Sequence, residues 1–202
     1  MNELFRAFVF LFAVIDPIGT VPIFLNATRS FDSATRKKIA LRAVLVATGI
    51  LLFFILVGQY LIEAMEITIP AFQISGGIVL FIFALTMVFG NGKHGISEEE
   101  TDIHHVSVFP LALPAIASPG AITAVVLLTD NHVFTFGQQM VTTSIVLVIL
   151  AIVYVLLLLA DRIQKRIGKM GITVITKIMG LLLCAIAIES MLSGLKEYFK
   201  LG

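Results

Sequence analysis

The chain has 202 residues, 58% of them hydrophobic and only 13% charged, with a formal net charge of +1 and a mean hydropathy of +1.04. A soluble globular domain is about one quarter charged, so this composition excludes that class. The near-neutral charge, with no basic stripe, excludes a nucleic-acid partner, and the single cysteine, Cys184, excludes an intramolecular disulfide and a cysteine metal frame.

Six apolar runs are long enough to cross a hydrocarbon layer roughly 30 Å thick. They are predicted at about 5–27, 39–62, 67–89, 107–129, 140–160 and 174–195. The first carries Glu3 beside Arg6, lacks a small-residue cleavage site and is interrupted at its centre by Asp16-Pro17-Ile18-Gly19. It reads as a retained span, not a leader peptide. Pro17 removes a backbone donor and clashes with the preceding turn. Asp caps helices well and Pro suits the first helical position, so Asp16-Pro17 predicts the start of a second half-helix. The second span is unbroken and ends near Gln59 and Glu63. The third contains Gly76-Gly77, small residues that let helix backbones approach closely, with Gln73 and Thr86 as candidate polar lining groups.

A polar connector spans about 91–106. Its His94, His104, His105, Glu98, Glu99, Glu100 and Asp102 lack a tight ligand frame and read as a solvated loop instead of a metal site. The fourth span repeats the interruption as Ser118-Pro119-Gly120-Ala121, followed by Ile122 and Thr123. The fifth is unbroken. The sixth holds Gly180 and, about one third from its outer end, Glu189.

Of the 14 Lys and Arg residues, 11 fall in the first, third and fifth loops, or at their margins, and only Arg6, Lys196 and Lys200 fall on the other side. The positive-inside rule therefore places those three loops in the cytoplasm and both termini outside it. The chain reads as one all-α membrane domain, residues 1–202, in two three-span halves of about 1–90 and 107–202. Three is odd, so equivalent halves would form an inverted repeat with spans 1 and 4 discontinuous. Pro17 and Pro119 are 102 residues apart, and Gly77 and Gly180 are 103 apart.

Broken segments in matching positions of two halves point to a transporter's binding site. The two new helix starts would run in opposite directions and meet near mid-membrane. Each exposes orphan N–H groups and the positive end of a helix dipole, which together suit a carboxylate without any Lys or Arg. Asp16 would be costly if unpaired in lipid. It could accept backbone N–H bonds, accept a proton, or pair with a substrate ammonium, and a small amino-acid zwitterion supplies both charges. The candidate substrate-binding residues are Asp16, Pro17, Ile18, Gly19, Thr20, Gly76, Gly77, Ser118, Pro119, Gly120, Ala121 and Ile122, with Asp16 and Glu189 as coupling candidates. Glu189 could also snorkel or face a wet vestibule.

The strings DPIGTVPIFL (16–25) and PLALPAIASPGAI (110–122), with ISGG at Ile74–Gly77 and the six-span layout, resemble the MarC family of bacterial inner-membrane proteins over nearly the whole chain. That family includes SnatA-type small-neutral-amino-acid transporters. The resemblance implies a two-repeat membrane fold and movement of glycine, alanine and similar amino acids. It brings no carboxylate to the position of Glu189. Thr20 stands where the family often has Asn, and Ser118 where it often has Gly, both at the proposed site. The expectation is a secondary transporter in the bacterial inner (plasma) membrane, with a small amino acid and the lipid bilayer as partners. It would use no cofactor or metal, and would be driven by protons, sodium or exchange. No Walker loop, Ser-His-Asp set, HExxH or GxGxxG stands in a suitable setting, so neither an enzyme nor direct ATP drive is expected. The alternative is a non-transporting membrane assembly or regulatory partner.

Overall fold

The computed structural model describes residues 3–89 and 102–200, and every regular element among them is helical. In chain order these are α1 (Glu3–Ile15), α2 (Pro17–Ala27), α3 (Ser33–Ala64), α4 (Ile69–Phe89), α5 (Ile103–Val106), a wide-turn segment (Ser107–Ile116), α6 (Pro119–Leu128), α7 (Phe136–Gly168) and α8 (Thr173–Tyr198). The first span is α1 with α2. Helices α3, α4, α7 and α8 are each long and apolar enough to cross a bilayer, and the pair Ile103–Ile116 and Pro119–Leu128, bent by 56°, makes a sixth. The six predicted runs are thus six spans or broken spans. Most of the polar connector, including His94 and Glu98 to Glu100, lies outside the described residues.

Spans 1 and 4 are discontinuous, as the prolines predict, but not alike. The first is notched at Asp16, whose φ is 50°, and still passes as one span. The fourth is interrupted more than once. Phe109 (φ −124°, ψ 127°) and Leu113 (φ −126°, ψ 130°) are extended inside it. Each precedes a proline, whose ring disfavours the α region for the residue before it. Only the break at Ser118 was expected, because Pro110 and Pro114 lie in an otherwise unremarkable apolar run.

Helix α3 starts at Asp32, whose carboxylate accepts from the N–H groups of Ala34 (3.0 Å) and Thr35 (3.4 Å). Hydrogen bonding from Thr35, and from the Ala34 amide, holds this carboxyl below the usual carboxylate range. Polar ties join α3 to α7 at one end and to the turn that leads into α7 at the other. Near one end Arg36 pairs with Asp161 and its Nε donates to the Thr28 carbonyl at 2.9 Å. Near the other, His132 Nε2 meets Glu63 at 3.1 Å, and the Asn131 N–H donates to Gln59 Oε1 at 2.7 Å. The two helices are therefore antiparallel, and the basic stretches after the first and fifth spans share one end of the molecule.

Two buried clusters divide the interior. The larger gathers Leu11, Ile15, Phe24, Ile39, Leu111, Ile116, Val125 and Ile149 from spans 1, 2, 4 and 5. The smaller is Leu80, Ala84, Met87, Leu183 and Ala187, all from α4 and α8, and Ile186 packs against both. Apolar lipid gives no hydrophobic drive between helices, so close packing of small residues has to supply attraction. The α4–α8 seam does this with a seven-residue spacing on both partners. A Cβ on Gly77 would lie 3.0 Å from the Ala187 carbonyl oxygen, one on Gly180 3.0 Å from that of Ala84, and one on Gly194 2.9 Å from that of Pro70. Pro70, Gly77 and Ala84 thus face Gly194, Ala187 and Gly180 in antiparallel register. The residues joining this pair to the rest are conformationally unusual. Glu66, between α3 and α4, has φ 55°, and Gly168, at the end of α7, has φ 75° and ψ 167°. The latter is a region open to glycine alone.

Candidate functional site

Each break is built around a side chain that caps the helix it starts. Asp16 Oδ1 accepts from the Gly19 N–H at 2.9 Å, and the Asp16 carbonyl accepts from the Thr20 N–H (3.1 Å) and hydroxyl (2.9 Å). Ser118 repeats the pattern. Its Oγ accepts from the Ala121 N–H at 3.0 Å, and its carbonyl accepts from the Ile122 N–H at 2.9 Å. Pro17 and Pro119 occupy the first helical positions. Of the uses open to Asp16, the capping one is realised here. The cap also accounts for Gly19, where any Cβ would lie 1.9 Å from Asp16 Oδ2.

The breaks meet. The Ser118 hydroxyl donates to the Val14 carbonyl at 3.3 Å, across 104 residues of sequence. Val14 lies in the last turn of α1, where the interruption leaves carbonyls without helical partners. Helix α4 closes the third side. A Cβ on Gly76 would lie 2.2 Å from Thr123 Oγ1 and 3.5 Å from the Pro119 carbonyl oxygen. A Cβ on Gly120 would lie 2.8 Å from Leu80 Cδ2 and 3.2 Å from Val14 Cγ1. Gly120, Thr123 and Val126 share one face of α6, three residues apart. That face leads from the breaks to a hollow of about 50 Å³ lined by Gln59, Ile62, Glu63, Ile67, Ile69, Val126 and Asp130.

Gly76 and Gly77, expected together at the site, part company. Gly76 faces α6, while Gly77 faces Ala187 and Met191 of α8. Thr20, Ser118 and Ala121 are 1%, 2% and 0% exposed, and Asp16 is 6%. Pro17 and Gly19 are buried, Pro119, Gly120 and Ile122 half-buried, and the Ile18 side chain is exposed. Glu189 is exposed on α8, on a different face from the buried Ala187 that meets Gly77, and Asp16 bonds instead to its own helix start. Two opposed helix starts call for a shared pocket, but neither of two hollows in the structure is lined by them, and Leu80 of α4 packs against the Gly120 position of α6 instead. A larger hollow, about 430 Å³, lies between Leu4 and Phe8 of α1 and Met140 to Val148 of α7, away from the breaks. Sequence reasoning missed Val14 and Leu80. The available signal was that Leu80 stands one helical turn after Gly76, hence on the same face.

The Gly76 contact gives a test of the α4–α6 approach. Gly76→Ala is expected to destabilise by about 1–3 kcal/mol through overpacking. Adding Thr123→Ala, which removes the obstructing hydroxyl, should restore most of that loss. Thermal unfolding in detergent of the two singles and the double reads the coupling. Strictly additive losses would mean that these residues do not set the approach.

A family model described as MarC family integral membrane protein matches residues 1–199. A UPF0056 membrane protein of Methanocaldococcus jannaschii is 34% identical over 194 residues, covering 94% of each chain. One from Bacillus subtilis is 33% identical over 203 residues, 96% of this chain and 94% of its own. One from Buchnera aphidicola is 29% identical over 206 residues, 99% of this chain and all of its own. No solved structure matches.

Proposed function

This chain belongs to the MarC family of integral membrane proteins, and on that premise we propose that it is a secondary transporter of small neutral amino acids, glycine or alanine in kind. The observation that carries the reading is the Ser118-to-Val14 hydrogen bond at 3.3 Å, which brings two capped helix starts together inside the membrane. Each start has a donor, the N–H of Gly19 or of Ala121, now taken by its own Asp or Ser. A substrate carboxylate takes over the Ala121 donor from Ser118, and Asp16 turns from its cap to the substrate ammonium or to a coupling proton. The neutral Ser118 cap is the easier one for an anion to displace, because Asp16 carries the same charge as the carboxylate.

The protein is built as two inverted repeats. Three matches support this. Asp16 and Ser118, equivalent by spacing, each cap the residue three positions on. Gly77 and Gly180 each press against the partner's backbone in one antiparallel seam. The basic stretches after spans 1 and 5 lie together, joined by Arg36 and Asp161. The shared basic end faces the cytoplasm of the cell whose inner membrane holds the protein, with both termini on the far side. Alternating access comes from the α4–α8 pair rocking against the frame of α3 and α7, tied at both ends of α3. The unusual backbone at Glu66 and Gly168 gives the pair one connector at each end of the frame. The α6 face running from Gly120 to Val126 is the path to the outer mouth.

The test is uptake by purified protein in liposomes. Labelled glycine or alanine should enter above the level of empty liposomes, and an imposed pH gradient should change the rate. Uptake that follows sodium and ignores pH removes the proton from this scheme. Background uptake from a folded preparation favours the non-transporting partner.

A further inference from the structure

We propose that Leu80 sets the upper limit on the side chain that the site accepts. This rests on the transport reading above and adds a residue that neither sequence motif contains. Leu80 is 2% exposed and projects from α4 one turn beyond Gly76. Its two terminal methyls lie 2.8 and 3.5 Å from the position a Cβ would occupy at Gly120, and Val14 Cγ1 lies 3.2 Å from that same point. Gly120 is the second residue of the α6 helix start. Val14 supplies the carbonyl that receives the Ser118 hydroxyl. The isobutyl end of Leu80 is therefore wedged where the two breaks converge.

A bound amino acid held by its carboxylate and ammonium at the helix starts must place its side chain against this wall. Apart from Val14, itself 3% exposed, the neighbours have little side chain to withdraw. Gly120 has no side chain to withdraw, the Ala121 side chain is fully buried, and Gly76 lies against Thr123. Space for a substrate side chain is therefore made by moving or shortening Leu80. Glycine needs none of it and alanine little, whereas valine or leucine needs a volume close to that of Leu80 itself. An apolar wall of this kind discriminates by size, at about 10- to 200-fold per methylene in tight sites.

The experiment measures uptake of labelled glycine, alanine, valine and leucine in liposomes by the native chain and by Leu80→Ala, Leu80→Val and Leu80→Phe. Amino-acid-induced shifts in thermal stability of the purified proteins are read alongside. Leu80→Ala should raise the leucine-to-glycine uptake ratio at least about tenfold. Leu80→Val should raise it less, and Leu80→Phe should lower the alanine-to-glycine ratio. Leu157→Ala is the packing control, since Leu157 is equally buried and lies in the larger cluster, which Leu80 does not join, one turn before the Asp161 that pairs with Arg36. It should leave the ratios unchanged. If Leu80→Ala folds poorly, Leu80→Val and the stability shifts read the same ordering.

Unchanged ratios in the Leu80 series while glycine uptake persists would overturn the assignment and leave the transport reading standing. An equal change in Leu157→Ala would also overturn it. A native chain that neither takes up nor is stabilised by glycine or alanine would remove the transport reading, and the role of Leu80 with it.

Discussion

Replacing Asp16 by Asn is expected to leave the protein folded and to reduce its amino-acid uptake by about tenfold or more, since a hydrogen bond to a charged group contributes about 1.5–3 kcal/mol. Asn retains an oxygen able to accept from the Gly19 N–H, now 2.9 Å from Asp16 Oδ1. It also tolerates the left-handed backbone, φ 50°, found at this position. What it loses is the negative charge that would hold an ammonium or a proton. Asp16→Ala differs in both respects. It removes the cap, at a cost of about 0.5–2 kcal/mol, and puts a Cβ-bearing residue without a local hydrogen bond at positive φ. The two variants therefore separate the structural role from the functional one. Thermal unfolding should distinguish Ala from native and not Asn, whereas uptake should distinguish both. Native-level uptake by Asp16→Asn would reduce Asp16 to a cap.

The second large effect is expected in the α4–α8 seam. Gly180→Val should destabilise by about 1–3 kcal/mol or more, because overpacking forces backbone shifts. A Cβ there would lie 2.9 Å from Met87 Cβ, 2.9 Å from Val88 Cγ2 and 3.0 Å from the Ala84 carbonyl oxygen. The Val88 methyl can turn away, but Met87 Cβ is fixed to its backbone and the Ala84 carbonyl belongs to the same helix, so both move only with α4. Gly49→Ala is the contrast. Nothing lies within 4 Å of a Cβ at Gly49, deep in α3, so the helical preference for Ala over Gly should stabilise by about 0.5–1 kcal/mol. Chemical or thermal unfolding of both variants in one detergent reads the difference. Equal responses at the two glycines would mean that the seam is not closely packed.

The two site motifs were legible because lipid tolerates a polar residue, Pro and Gly inside an apolar run only where the freed backbone groups find partners within the protein. The pairing of Asp16 with Pro17 and of Ser118 with Pro119 named the caps, and each cap formed. Gly76 and Gly77 show where such reading stops. Adjacent residues on a helix point about 100° apart, so one faces α6 and the other α8. Smallness announced close approach and did not name the partner. Glu189 was attractive as a carboxylate within a span. Its exposure depends on which face of α8 the Gly180–Ala187–Gly194 stripe turns inward.

The amino-acid sequence by itself determined the membrane class, the six apolar segments, the two helix starts and the end of the molecule that carries the basic residues. Hydropathy, proline sterics and capping act locally, within a turn or two, so their marks survive in a linear reading. The tertiary structure alone decided that the two starts touch through Ser118 and Val14. It also decided that Leu80 fills the space beside them and that α4 pairs with α8 in a seven-residue register. Those outcomes join distant residues: Ser118 and Val14 are 104 positions apart, and Ser190 of α8, which donates to the Gln73 carbonyl of α4, is 117 away from it. In lipid, where burial of apolar groups does not choose partners, they depend on which small residues happen to align when whole helices dock.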